Sequence, residues 1–320
     1  MNEETRADRR EQARRRIQRQ RRLLAVGAIG LLVASLSIGG VLVAAGPEHD
    51  APAAGGVPRA ELPRGGRVIF PGNRVVAFYG APRDPELGVL GIGPPDRAAR
   101  RLGRQASSYS RPGRPVLPAL ELISTLVTEE AGETGDHALH EDGSTIRRYL
   151  RTARAHRMLL ILDIQPGYAS FIDEARRLKR FLSEPDVSLA LDPEWSLDPP
   201  QLPGQSIGST NAAMINEVSR YLSQLVRRDH LPQKLLVVHR FTEDMVESEN
   251  ELERDPGVAL VLNVDGFGDR PNKVAKYRQL ARERKVAFNG FKLFYHEDRD
   301  LMSPNEALRL RPRPDFIVYE

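Results

Sequence analysis

The 320-residue chain contains no cysteine. This absence excludes a disulfide framework, a thiolate nucleophile, a Cys-ligated metal and a lipid-modified N-terminal cysteine. Aromatic residues make up only 6% of the chain, and no basic patch is interleaved with them, so we expect no nucleic-acid partner. A nucleophilic serine elbow and a phosphate-binding glycine loop are also missing. The composition is otherwise that of an ordinary globular protein, with 28% charged residues, and the length allows one large α/β domain or two small ones.

The N-terminus has the composition of a membrane anchor. Nine arginines fall within residues 1–22, and the uncharged run 23–45 follows them. At about 1.5 Å per residue this run is long enough to cross a bilayer. The positive-inside rule then places residues 1–22 in the cytoplasm and everything after Gly46 outside. We therefore predict a single-pass protein of the cell membrane; the alternative is a signal peptide cleaved after the small residues at positions 43–45, followed by secretion.

Residues 46–72 are rich in Pro, Gly and Ala, which indicates a tether or a segment wrapped on the domain that follows. From residue 73 to residue 320, apolar runs of strand length alternate with stretches of helical periodicity. The predicted strands are 74–79, 119–125, 158–163, 187–192, 234–239, 259–264, 288–294 and 315–319. The predicted helices are 96–106, 146–156, 171–182, 215–226 after a Ser209-Thr210 cap, 242–254, 273–285 and a short turn at 304–308.

Eight β units joined by right-handed crossovers predict a (β/α)8 TIM-like barrel of the α/β class. The last strand ends next to Glu320, so we expect the last outer helix to be missing or replaced by the segment 46–72. An open doubly wound sheet is the alternative. Gly88–Gly93 lacks the glycine order of a dinucleotide-binding loop and does not follow a strand, which favours closure.

Polar residues gather where the predicted strands end, which is where such barrels carry their active sites. The catalytic candidates are Glu194, Asp192, Asp163 and Asp265. Two residues apart on an extended chain, Asp192 and Glu194 would share one face, and like-charge repulsion would raise the pKa of one of them. Glycoside cleavage needs such an acid and a second carboxylate. We expect Glu194 to be the acid, Asp192 to orient or stabilise, and Asp163 or Asp265 to be the second carboxylate.

Candidate substrate-binding residues lie at the same strand ends. Trp195 and Tyr79 are predicted to stack on sugar rings, and amide or imidazole groups to bind hydroxyls. The full set is Trp195, Tyr79, Gln165, His239, Asn263, Lys292 and Tyr295. Each residue alone could be a cap, a turn former or core packing. Their convergence from several strands favours a binding site, and we predict no metal and no cofactor for it.

The Asp-x-Glu sequence Asp192-Pro193-Glu194 at the end of strand four resembles that of chitinase-like and lysozyme-like glycoside hydrolases. The resemblance implies that Glu194 is the proton donor. Upstream on the same strand, where those enzymes carry further aspartates, this chain has Val187 and Ala190. Through its FYG, DIQPG, LDPEW, DGFG and KLFYHED blocks the chain also resembles membrane-anchored or secreted actinobacterial proteins of unassigned function. That resemblance implies a location and a (β/α)8-type domain rather than a reaction.

Three functions follow from these observations. The first is a membrane-tethered, extracytoplasmic glycoside hydrolase acting on cell-envelope or extracellular polysaccharide. The alternative is a barrel that binds glycan without cleaving it. A third is a metal-dependent phosphodiesterase, because His239, Arg240 and several aspartates lie at strand ends.

Overall fold

A computed structural model describes residues 60–283 and 285–320. All eight predicted strands are present, with ends that differ from the prediction by a few residues. They are β1 (Arg74–Gly80), β2 (Val116–Val127), β3 (Leu159–Ile164), β4 (Val187–Leu191), β5 (Lys234–Arg240), β6 (Val258–Val264), β7 (Phe288–Leu293) and β8 (Phe316–Tyr319).

The eight strands form a closed parallel barrel. Each strand pairs with its neighbours in sequence, and β1 pairs with both β2 and β8. The register of β1 on β8 runs from Val75 opposite Phe316 to Phe78 opposite Tyr319. This ring confirms the TIM-like α/β fold and excludes the open sheet.

Alternate residues of each strand face two separate apolar cores. Val75, Ala77 and Tyr79 of β1 belong to the core inside the barrel, whereas Val76 and Phe78 pack outward under the helices. Every residue of β1 is buried, because a parallel strand is covered on both faces. The predicted outward orientation of Ile164 and Val264 is confirmed, since both belong to the outer core.

The helices lie outside the ring. They are α1 (Pro95–Ser107), α2 (Gly143–Ala155), α3 (Phe171–Arg177), α4 (Lys179–Leu182), α5 (Ala212–Arg228), α6 (Arg270–Leu280) and α7 (Pro304–Ala307). Helices α5 and α6 begin at residues other than the predicted ones, because their N-terminal caps are Asn211 and Asp269. Asn211, one residue beyond the predicted Ser209-Thr210, accepts from the Met214 amide to begin α5, and Asp269 accepts from the Asn272 amide to begin α6.

The predicted helix at 242–254 is wrong. Val246–Glu247 instead forms a short parallel pair with Thr210–Asn211, and Ser248 adopts a left-handed φ of 52°. The Asn216 side chain of α5 then donates to the Glu251 carbonyl and accepts from the Glu253 amide. These tertiary hydrogen bonds hold an irregular path that the helical spacing of apolar residues did not reveal.

Residues 60–72 pack across the bottom of the barrel, at the N-terminal ends of the strands. Ile69 and Phe70 are buried in the inner core. Both of their backbone amides donate to the side-chain oxygen of Gln233, which immediately precedes β5. This part of the predicted segment 46–72 is therefore wrapped on the domain; residues 46–59 lie outside the described part of the chain.

The predicted cytoplasmic tail 1–22 and the predicted span 23–45 also lie outside the described residues. Among those that the structure describes, no helix is both long enough and apolar enough to cross a membrane. Within the same part of the chain, no helix follows β8. The outer face of β8 is covered by α1 and the loop after it, where Gln105 donates to the Tyr319 hydroxyl and Tyr109 contacts it.

The contribution of the segment 60–72 to stability can be measured. Phe70→Ala removes a ring that is 3% exposed and leaves a cavity under the barrel, so we expect a loss of about 3–5 kcal/mol in the free energy of unfolding. Urea denaturation is the measurement. Val68→Ala in the same segment is the control, because Val68 is 58% exposed and its loss should cost under about 0.5 kcal/mol. Equal effects of the two substitutions would show that the segment does not seal the core.

Candidate active site at the mouth of the barrel

The carboxyl ends of the strands enclose one small cavity of about 50 Å³. This volume suits a few water molecules, which need about 10–15 Å³ each. Seven of the predicted residues line it: Tyr79, Gln165, Asp192, Glu194, Trp195, Asp265 and Lys292. Its remaining lining is Leu87, Ile123, Phe241, Gly266, Phe267, Phe294 and Glu320. The structure therefore brings most of the predicted site together.

His239 lies below this cavity, between two carboxylates. Its Nε2 is 3.0 Å from Oε1 of Glu121, and its Nδ1 is 3.2 Å from Oδ2 of Asp265. Burial alone would lower the pKa of His239, but the hydrogen bonds to Asp265 and Glu121 outweigh it and raise the pKa well above its usual value. The ring is therefore a buried imidazolium at neutral pH.

Glu121 was missed by the sequence analysis. It stands alone in the otherwise uncharged strand β2 and is fully buried. A single acid in the middle of a strand covered on both faces requires a partner, because an unpaired buried charge is costly. That isolation is the signal that would have identified it; its partner, His239, is 118 residues away and could not be read from the sequence.

Lys292 is the second buried cation of the mouth. Its Nζ is 3.1 Å from Oδ2 of Asp265 and 2.9 Å from Oε2 of Glu320, and it lies 3.9 Å from the centre of the Tyr79 ring. Burial disfavours the charged ammonium, yet the neighbouring carboxylates, Asp265 first, raise its pKa. Glu320, like Glu121, was absent from the predicted set.

The predicted carboxyls differ sharply in their protonation. Burial, followed by the charge of Asp192, raises the pKa of Asp163 to about 8. Burial also raises the pKa of Asp192, more than the nearby cations lower it. Asp265 is buried as well, but Lys292 and His239 more than offset that and hold its pKa far below the usual value. At neutral pH the site thus contains protonated and ionised carboxyls side by side.

The charge balance of the site explains this division. Five buried carboxyls, Glu121, Asp163, Asp192, Asp265 and Glu320, share two buried cations. Ionising all five would leave three uncompensated negative charges in a medium that solvates them poorly. A proton on Asp163, whose pKa is raised to about 8, relieves part of this excess.

A short hydrogen-bond chain connects Asp163 to the cavity. The Tyr79 hydroxyl donates to Oδ2 of Asp163 at 3.0 Å. The Gln165 amide donates to the Tyr79 hydroxyl at 3.3 Å and to Oδ2 of Asp192 at 3.4 Å. Asp163 itself lies one layer below the cavity and does not line it.

Asp192 and Glu194 do not alternate along a strand as predicted. Strand β4 ends at Leu191, and Asp192 precedes a single 3-10 turn, Pro193–Trp195. Both carboxyls still line the cavity; Asp192 is buried, whereas Glu194 is partly exposed at the rim. The charge that raises the pKa of Asp192, after burial, is that of Asp265.

The predicted aromatic platforms are mostly enclosed. Trp195 is 2% exposed and packs in the inner core, and one face of Tyr79 is covered by Lys292. Tyr295 lies outside the barrel, stacked on Tyr319 at 5.1 Å with the Arg101 guanidinium above it. Tyr295 lies two residues beyond the end of β7, where the alternation of inward and outward side chains no longer applies. The local sequence therefore did not show that its ring lies outside the barrel.

Asn263 lies beneath the cavity, where its Nδ2 is 3.1 Å from Nδ1 of His239. It therefore contacts the buried imidazolium rather than the cavity. Stacking and hydroxyl binding by the predicted substrate-binding residues stay predictions.

Glu121, Asp163 and His239 each offer a ligand atom within 4.8 Å of one another, a spacing that a metal ion can use. Both nitrogens of His239 face carboxylates, so a metal ion could bind the ring only by replacing one of these contacts and its proton. We interpret the cluster as a buried ion-pair network. Outside this cluster, His137 is buried and His140 pairs with Glu174 at 2.9 Å.

No known protein family matches the chain, and no curated protein matches it. Among solved structures it is similar to a GH5 xyloglucan-specific endo-β-1,4-glucanase from a metagenomic library, determined in complex with cellotriose. The identity is 9%, the match covers 71% of this chain and 77% of the other, and the TM-score is 0.36. A structural similarity this low does not indicate a shared activity. The barrel fold is established by the strand pairing described above.

The raised pKa of Asp163 predicts a specific pH dependence of stability. Between about pH 4 and pH 8 the folded state keeps this proton while the unfolded state loses it, so stability falls as pH rises through that window. Asp163→Asn, which cannot ionise, removes this contribution. We therefore expect a flatter dependence of the unfolding free energy on pH for the variant, by up to about 1.4 kcal/mol per pH unit.

Urea denaturation at several pH values measures both curves. Asp244→Asn, at an exposed carboxylate, is the matched control and should leave the slope unchanged. Parallel curves for wild type and Asp163→Asn would mean that Asp163 is already ionised in the folded protein.

Proposed function

We propose that the barrel mouth hydrolyses glycosidic bonds by acid–base catalysis, and that the protein acts outside the cytoplasm on cell-envelope or extracellular polysaccharide, tethered by residues 23–45. The observation that carries the proposed chemistry is the pair Asp192 and Asp265. Both line the same cavity, yet one has a raised pKa and the other a lowered pKa. Two carboxyls whose environments push their pKa values apart are what an acid and a carboxylate partner require.

The roles follow from the protonation states. Asp192, whose raised pKa favours the protonated form, donates its proton to the glycosidic oxygen as the bond to the anomeric carbon breaks. Asp265, ionised, stabilises the positive charge on the sugar or receives the proton of the attacking water. The water supplies the hydroxyl group to the anomeric carbon, so both products are neutral sugars.

Buried neighbours hold these two states. Lys292 and His239 keep Asp265 ionised through contacts of 3.1 and 3.2 Å. Gln165 donates to Asp192 and fixes its orientation. These are positioning residues in this proposal, because they act through the two carboxyls.

The size of the cavity limits how substrate would bind. At about 50 Å³ it accommodates the glycosidic oxygen and a water, not a whole sugar ring. A sugar would therefore rest on the rim, where Phe241, Phe267 and Glu194 line the opening. The rim position of Glu194 keeps it as the alternative acid, as its resemblance to the chitinase-like enzymes implies.

The second candidate is a barrel that binds glycan without cleaving it. The observation in its favour is that Lys292 already neutralises Asp265 and Glu320 and covers one face of Tyr79. A carboxylate that is neutralised by a lysine, as Asp265 is by Lys292, is a poorer nucleophile. The third hypothesis, a metal-dependent phosphodiesterase, has only the ligand spacing of Glu121, Asp163 and His239 in its favour, and carboxylates already engage both nitrogens of His239.

The test is release of reducing sugar from peptidoglycan and a panel of extracellular polysaccharides by the purified full-length protein. We expect Asp192→Asn and Asp265→Asn each to lower the rate by at least about 100-fold, because each removes a group that transfers a proton or stabilises charge. Glu217→Gln, an exposed carboxylate on α5, is the control and should keep full activity.

Two further outcomes decide between the candidates. If Glu194→Gln abolishes activity while Asp192→Asn retains it, Glu194 is the acid and our assignment of Asp192 is wrong. If the wild-type protein binds a polysaccharide, retains it equally in all variants and releases no sugar, the barrel is a binding protein.

A further inference from the structure

A basic groove lies on the outside of the barrel, away from the mouth. It is bordered by α2 and α4 and lined by four arginines, Arg147, Arg151, Arg154 and Arg180, and by one carboxylate, Glu184, above the buried side chains Leu150 and Phe181. We call these four arginines and their two apolar neighbours the arginine groove. Neither the strand-end pattern nor the proposed hydrolysis accounts for it.

Three of the four arginines have no carboxylate within ion-pair distance in the described part of the chain. Arg154 is the exception, with Glu184 at 2.6 Å and Asp186 at 2.7 Å. The guanidinium groups of Arg147 and Arg180 both lie beside Gly143 at the start of α2, in the space that a Cβ would fill there, so like charges are held close together. Such an arrangement is unfavourable alone and becomes favourable when an anion binds between the groups.

Guanidinium groups match phosphate oxygens in planar, bidentate geometry better than ammonium groups do. Further exposed cations extend the surface on either side of the arginine groove. They are Arg148, Arg157, Arg176, Arg177 and Lys179. The chemistry of this surface therefore fits phosphodiester groups presented side by side rather than a single small anion.

The groove is next to the point where the described chain begins. Arg157, at the bottom of the barrel, donates to the Pro63 carbonyl at 3.0 Å, and Arg154 and Arg157 share a second surface depression with Glu61 and Pro63. Only residues 46–59 separate this point from the predicted span 23–45. Even fully extended they reach about 50 Å, so a tethered barrel has this surface within reach of the bilayer.

We propose that the arginine groove binds the phosphodiester headgroups of anionic phospholipid and so sets the orientation of the barrel on the membrane. Each basic residue near an anionic bilayer adds to the attraction, and the attraction weakens with salt. The inference is independent of the proposed hydrolysis, because no residue of the groove lines the mouth.

The test uses the full-length protein in neutral detergent, titrated with a short-chain phosphatidylglycerol and, separately, with the matching phosphatidylcholine and with inorganic phosphate. We expect binding of the phosphatidylglycerol that weakens with added salt. The triple variant Arg147→Gln, Arg151→Gln, Arg180→Gln should weaken it by at least about tenfold. Arg278→Gln, Arg299→Gln, Arg309→Gln, at exposed positions of the later β/α units, is the matched control and should bind as wild type does.

Each remaining outcome contradicts the proposal. Equal affinity of wild type and the groove variant would place binding elsewhere on the chain. Equal affinity for phosphatidylcholine would show that no anionic charge is recognised. Inorganic phosphate bound as tightly as phosphatidylglycerol would make the groove a site for free phosphate. The thermal unfolding curve of the groove variant, expected to match that of wild type because the positions are exposed, confirms that the variant is folded.

Discussion

The pairing of β1 with both β2 and β8 is the contact on which the other features of this protein depend. Closing the ring turns alternate residues of eight strands toward a common axis, and parallel strands bring all carboxyl ends to the same side. Polar residues that are scattered over more than 200 positions of the chain, from Tyr79 to Glu320, thereby meet around one cavity of about 50 Å³. The same closure removes exposed strand edges, which an open sheet would have had to cover.

Burying these carboxylates is unfavourable unless their negative charge is compensated, and the way in which it is compensated determines the protonation of the groups at the mouth. His239 and Lys292 compensate the carboxylates that they touch, whereas burial and neighbouring carboxylates raise the pKa of Asp163 and of Asp192. A carboxyl with a raised pKa and one with a lowered pKa therefore lie around one cavity because their contacts with the two cations differ. Neither the resemblance to known hydrolases nor the order of residues along β4 is needed to explain the difference between Asp192 and Asp265.

The barrel is chemically asymmetric. Carboxyls collect at the mouth, whereas the bottom is sealed by Ile69 and Phe70 and adjoins the exposed arginines of α2 and α4. The segment 60–72 thus serves two purposes: it completes the inner core, and it fixes the end of the barrel at which the preceding chain emerges. If residues 23–45 anchor the chain as we propose, the mouth lies at the end of the barrel opposite to the segment 60–72.

The sequence by itself determined the eight strands, most of the helices and the residues that follow the strand ends, because apolar periodicity and caps act over a few neighbouring residues. Only the tertiary structure decided the rest. It paired Glu121 with His239 across 118 positions, replaced the predicted helix at 242–254 by hydrogen bonds from Asn216, and placed Tyr295 outside the barrel. Charge compensation, packing and hydrogen bonding between distant segments depend on distances through space, and separation along the chain does not specify those distances.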